Sequence, residues 1–190
     1  MLFNSLAYLL FFPVVVAGHF LLPQRWRWLW LLAASSYFYA VFIPAYLLVL
    51  GGTIVVDYIA GLLIERAQGR RRALFLGLSI VANVGVLAFF KYYNFASANL
   101  RAIWAVLGWP YDAPILSMLL PVGLSFHTFQ AMSYMIEVYR GRQTAERHFG
   151  IFALYVMFFP QLVAGPIERP QNMLHQFREP HRFRGCPVRC

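Results

Sequence analysis

Long apolar runs separated by short, arginine-bearing breaks set the pattern of the chain. An α-helix needs roughly 20 apolar residues to cross a bilayer. On that measure, spans are predicted at about Phe3–Leu22, Leu29–Ile43, Ala45–Ile64, Ala73–Phe90 and Ile115–Tyr139. Pro44 divides the second from the third, because their combined length exceeds one crossing. Pro13 and Gly18 are candidate kinks in the first. Tyr92–Gly108 mixes Asn94, Asn99 and Arg101 with Ile103, Trp104 and Leu107, which predicts a helix lying along the interface. Trp109–Pro114 (WPYDAP) reads as a loop.

The stretch from Pro121 to Pro170 departs from this pattern. Ser125, His127, Thr128, Gln130, Ser133 and Gln161 sit inside its apolar runs. Lipid offers such groups no partners, so they must face protein or a water-filled cavity. Phe149–Ile167 is a single apolar run flanked by basic residues on both sides and broken by Pro160, Gly165 and Pro166. A simple crossing would carry the arginine-rich residues after it to the opposite side. The expectation is a segment that enters the membrane, breaks and returns. The fold class predicted is therefore an all-α integral membrane protein with about five transmembrane helices and one re-entrant or broken segment.

Charge agrees with that topology. All of the 16 lysines and arginines except Lys91 and Arg101 fall in four clusters, around Arg25, around Arg70, around Arg142 and after Arg169. Two predicted spans separate the first cluster from the second, and two separate the second from the third. All then lie on one side, the cytoplasm, and the N-terminus lies outside it. The apolar start lacks a basic region ahead of it, so a retained span is expected rather than a cleaved signal. Charged residues make up 12% of the chain, against roughly 25% for a soluble domain. The net charge of +9 is therefore a topology signal, and nucleic-acid binding is excluded.

Candidate chemistry is sparse. Asp57 lies within the third span; its expected role is a hydrogen bond to a neighbouring helix. His127, Gln130, Gln161, Glu168 and Arg169 are the candidates for lining a polar path through the membrane. His127 is expected to be packed and hydrogen-bonded. Gln130 and Gln161 have no acid–base power, so they either line that path or satisfy broken backbone. Glu137 with Arg140, and Glu168 with Arg169, read as surface charge pairs. His175, His181, Cys186 and Cys190 match no common zinc spacing. No phosphate-binding or dinucleotide loop and no nucleophile elbow is present, and no bound cofactor or metal is expected.

The motifs LPVGLSFHTFQAMSYMIEVYRGR and FFPQLVAGPIERPQNMLHQF closely resemble the membrane-bound O-acyltransferase family. The branch resembled is that of the bacterial alginate O-acetylases and relatives that acylate envelope polymers. MLFNSLAYLLFFPVV and FFKYYNF resemble it too. The resemblance implies a multi-helix inner-membrane protein with a tunnel through the bilayer. It also implies a cytoplasmic acyl carrier or acyl-CoA as donor, and envelope partner proteins that complete the transfer. The family's active histidine sits in a tryptophan–histidine motif, and no histidine here follows a tryptophan. Residues 1–183 are thus expected to be the N-terminal part of such an enzyme without its catalytic residue. Residues 184–190 (RGCPVRC) form an atypical tail, expected from a frame shift or a fragmentary gene. The function expected is transfer of an acyl group, acetyl by resemblance, to hydroxyls of an envelope polysaccharide such as alginate. The alternatives are a small transporter or channel subunit, or a non-catalytic remnant.

Overall fold

The computed structural model describes residues 6–41, 44–106, 124–162 and 169–178. Among them every regular element is a helix: α1 (Leu6–Leu21), α2 (Gln24–Ala40), α3 (Pro44–Arg66), α4 (Arg70–Val106), α5 (Leu124–Tyr139), α6 (Phe149–Met157), α7 (Phe159–Leu162) and α8 (Pro170–Gln176). The all-α expectation holds for these residues. Among the described residues, two helices are long and apolar enough to cross a membrane, over Leu47–Arg66 and Arg70–Tyr93. They do not by themselves establish the expected five crossings. α1 has 16 residues, and α2 begins with the polar turn Gln24–Trp28. Residues 107–123, which include most of the predicted start of the fifth span, lie outside the described residues.

The boundaries follow local chemistry. Pro44 occupies the first position of α3, where its missing N–H costs nothing. α5 ends in a Schellman turn: Arg142 N–H reaches the Glu137 carbonyl, Gly141 N–H reaches that of Val138, and Gly141 takes φ +70°. The separate interfacial helix expected at Tyr92–Gly108 is a correction. α4 runs unbroken for 37 residues, about 55 Å at 1.5 Å per residue. No proline or glycine lies between Lys91 and Val106, so nothing interrupts its hydrogen-bond ladder.

The core forms around α6, a nine-residue apolar helix. Every residue of α6 from Gly150 to Met157 is buried, and α2, α3, α5 and α8 all pack on it. Phe152, Leu154 and Tyr155 are completely enclosed. Gly150 lets α2 approach, since a Cβ there would fall 2.2 Å from Cζ3 of Trp28. α4 instead keeps most of its surface open, with only 11% of its apolar window buried.

The basic segments gather at one end. Trp28, between Arg27 and α2's apolar face, meets His148 edge-on at 4.7 Å. Arg72 at the start of α4 donates to the Val138 carbonyl at the end of α5, 2.8 Å away. Glu65 at the end of α3 accepts from Ala145 N–H at 3.1 Å. Beyond α8, Arg178 pairs with Glu146, just ahead of α6. At α8's start, Gln171 donates to Glu137 at 2.9 Å. The chain thus leaves this end at Glu146 and is back at it by Gln171.

Candidate functional site

The interruption between α6 and α7 organises the polar interior. Pro160 has no N–H for the Val156 carbonyl, and its ring would collide with that carbonyl in a continuous helix. The chain leaves the helix at Phe158, with φ −60° and ψ 106°, and resumes at Phe159. The break was expected at Pro160, Gly165 and Pro166; it falls two residues before the first, and 163–168 lie outside the described residues. Backbone groups freed here need partners, because the segment is buried in the protein away from water.

Side chains supply them. Gln130 Nε2 donates to the Tyr155 carbonyl at 3.3 Å and to Gln161 Oε1 at 3.3 Å. Ser35 Oγ accepts from Phe159 N–H at 3.4 Å. One turn before Gln130 on the same face of α5, His127 Nε2 lies 2.6 Å from the Tyr39 hydroxyl. Gln130 is 1% exposed and His127 4%. Counted along α5, His127 stands 12 residues, about 18 Å, from the basic end.

Of the path-lining candidates, the structure brings together His127, Gln130 and Gln161. Arg169 stands exposed at the N-cap of α8, outside this hydrogen-bonded group. Glu168 lies outside the described residues. Sequence reasoning missed Ser35 and Tyr39. Their spacing of four, inside an apolar run, was the available signal: it places both on one helical face.

A second polar cluster joins α3 to α4. Asp57 is 1% exposed and accepts from Ser79 Oγ at 2.9 Å and Asn83 Nδ2 at 2.6 Å. Asp57 is thus bonded to a neighbouring helix, as expected. At the basic end, a cleft of about 550 Å³ is lined by Glu65, Glu146, Arg147, Gln171, His175 and Arg178, among others. Glu146 is held there by Arg178 and by His148 N–H at 2.9 Å, while its own N–H donates to Tyr134 Oη at 2.7 Å. Glu137 pairs at 3.8 Å with Arg142, not with the expected Arg140.

Chemically, the central group can hydrogen-bond and hold a broken backbone inside the protein core. General acid–base work needs a group in reach of a reacting proton, and His127 engages Nε2 with Tyr39. Among the described residues, no group of three or more His, Cys, Asp or Glu side chains could hold a metal.

No family model matches the chain, and no solved structure matches it. Curated sequences do. The probable alginate O-acetylase AlgI of Pseudomonas aeruginosa is 40% identical over 181 residues, 93% of this chain and 34% of that protein. The corresponding protein of Azotobacter vinelandii is 39% identical, over 93% of this chain and 36% of its own length. The peptidoglycan O-acetyltransferase of Helicobacter pylori is 33% identical, over 94% of this chain and 39% of its own. Along nearly its whole length, the chain is similar to alginate and peptidoglycan O-acetyltransferases. It spans about a third of the length of the curated relatives it matches. The resemblance carried by the 120–142 and 158–177 motifs is thereby extended over the apolar helices that surround them, and these motifs supply His127, Gln130, the break and Gln161.

Proposed function

We propose that this chain serves an O-acyltransferase that moves an acetyl group across the inner membrane to hydroxyls of an envelope polysaccharide such as alginate. The observation that carries this reading is identity of 33–40% to envelope O-acetylases along 93–94% of the chain. Residues 124–176 form the wall of the acyl path: α6 enters from the cytoplasmic face, breaks at mid-membrane beside Gln130 and His127, and the chain returns to the same face at α8. α1 to α5 cross the membrane, with the N-terminus outside the cytoplasm. The donor is an acyl carrier or acyl-CoA in the cytoplasm, and envelope partner proteins finish the transfer. The base that deprotonates the acceptor hydroxyl is the histidine of the family's tryptophan–histidine motif, which is absent from these residues. The return of Arg178 to Glu146 supports the re-entrant path, and the gathering of arginines at that end supports the orientation.

A chimera tests the function. Residues 1–178 replace the homologous third of the Pseudomonas aeruginosa alginate O-acetylase in cells lacking that enzyme. Restored acetyl esters on alginate are expected. A chimera that is stable in the membrane and leaves alginate unacetylated contradicts the proposal.

A further inference from the structure

Arg66, Arg70 and Arg71 surround the short turn between α3 and α4, where Gly69 takes φ +58°. All three are exposed, and among the described residues none has a hydrogen-bond or ion-pair partner. The nearby acids are engaged elsewhere: Glu65 with Ala145 N–H, Glu137 with Arg142 and Gln171, Glu146 with Arg178. These arginines do not stabilise their own helix, either. Arg70 and Arg71 occupy the first turn of α4, which has no acidic residue, and a cation is disfavoured at that end of the helix dipole.

What stands beyond them is apolar surface. On α4, Arg70 begins the stripe Leu74, Leu78, Val81, all exposed, at spacings of four, four and three. On α3, the stripe Val56, Ile59, Leu63 is exposed likewise and ends at Arg66. The two helices run antiparallel and pack together, so both stripes start at one pair of arginines. Deeper along them, an apolar groove of about 280 Å³ lies between α3 and α4, lined by Gly52, Thr53, Val56, Ala82, Asn83 and Val86. Val56 belongs to both stripe and groove, about 15 Å from Arg66 along the helix.

We propose that this face binds one anionic phospholipid. Its phosphate sits on Arg66, Arg70 and Arg71, and an acyl tail runs along the α3 stripe, past Leu63 and Ile59, into the groove at Val56. Charge complementarity selects the occupant. Guanidinium groups at the foot of lipid-facing surface stand at phosphate level, where juxtamembrane basic residues attract anionic headgroups. An acidic protein would also be drawn to arginines, yet the exposed α3 stripe leads from them to an apolar groove that fits a hydrocarbon chain. The inference rests on the membrane reading of α3 and α4 and not on the acyltransferase activity.

The full chain, purified in mild detergent after reconstitution with equal phosphatidylglycerol and phosphatidylcholine, is analysed for retained lipid by native mass spectrometry. One phosphatidylglycerol per chain is expected, at least tenfold over phosphatidylcholine. The triple substitution Arg66→Gln, Arg70→Gln, Arg71→Gln abolishes that preference. Gly52→Leu tests the tail independently: a Cβ at Gly52 meets nothing within 4 Å, so the chain folds while the groove fills, and retention of either lipid falls. Equal retention of the two lipids, or retention unchanged by both variants, overturns the proposal. So does displacement of phosphatidylglycerol by a second copy of the chain. Loss of lipid selectivity leaves the chimera's acetylation as a separate result.

Discussion

The side chain of Gln130 donates to the carbonyl of Tyr155, 3.3 Å away, one residue ahead of the carbonyl that Pro160 deprives of an amide. A residue on α5 thus completes the hydrogen bonding of a helix that its own sequence interrupts.

The stability of this arrangement should be non-additive. Gln130→Leu leaves the Tyr155 carbonyl and Gln161 Oε1 without this donor inside the membrane, at a cost of about 1–3 kcal/mol. Pro160→Ala restores an amide for Val156 and favours a continuous helix. In that background the cost of Gln130→Leu should shrink, giving a coupling energy above about 0.5 kcal/mol in a double-mutant cycle. Thermal unfolding of the four purified proteins measures it. Strict additivity would show that Gln130 and the break act independently.

Tyr39→Phe removes the hydroxyl 2.6 Å from His127 Nε2 and leaves a buried ring nitrogen without it. The expected loss is about 1–3 kcal/mol. His127→Phe in addition should restore part of it, because both polar groups are then gone. Denaturant titration in detergent reports both steps.

Packing at Gly150 is closer than any side chain permits. Gly150→Ala brings its Cβ within 2.2 Å of the Trp28 ring and should destabilise by about 1–3 kcal/mol through overpacking. Gly77→Ala, in the middle of α4 with nothing within 4 Å, should be neutral or stabilise by up to about 1 kcal/mol through helix propensity. Melting temperatures of the two variants should therefore move in opposite directions, or only the first should move.

Arg178 holds α8 to the rest of the fold through Glu146. Arg178→Ala should cost about 1 kcal/mol, the modest value appropriate to a pair with one exposed partner. It should also expose the chain around α8 to limited proteolysis at the basic face. Unchanged cleavage would show that Met173 and Leu174, buried in the core, suffice to anchor it.

The helical class, the clustering of arginines and the polar character of 124–161 were legible in the sequence, because hydropathy and the cost of buried polar groups are local properties. Asp57 read correctly for the same reason: a carboxylate inside an apolar helix must find donors, and Ser79 and Asn83, four apart on the next helix, provide them. What failed were boundaries and partners. The mixed polarity after Lys91 suggested a new element, whereas helix propensity carried α4 on to Val106. Tyr39 was missed, since nothing in α2 alone reveals that α5 brings His127 to its hydroxyl. That α6 is the core, though one of the shorter helices, depends on four neighbours, of which α2 and α3 are distant in sequence.

Everything proposed for residues 124–178 depends on both ends of the broken segment lying on one face of the membrane. Single cysteines at exposed Thr144, Asn172 and Val41, in a chain carrying Cys186→Ser and Cys190→Ser, test this with an impermeant maleimide. Thr144→Cys and Asn172→Cys should label in inverted vesicles and stay protected in spheroplasts, with Val41→Cys showing the reverse. Labelling of Asn172→Cys in spheroplasts, with Thr144→Cys reached only from the cytoplasmic side, would make the segment a simple crossing and contradict the re-entrant path.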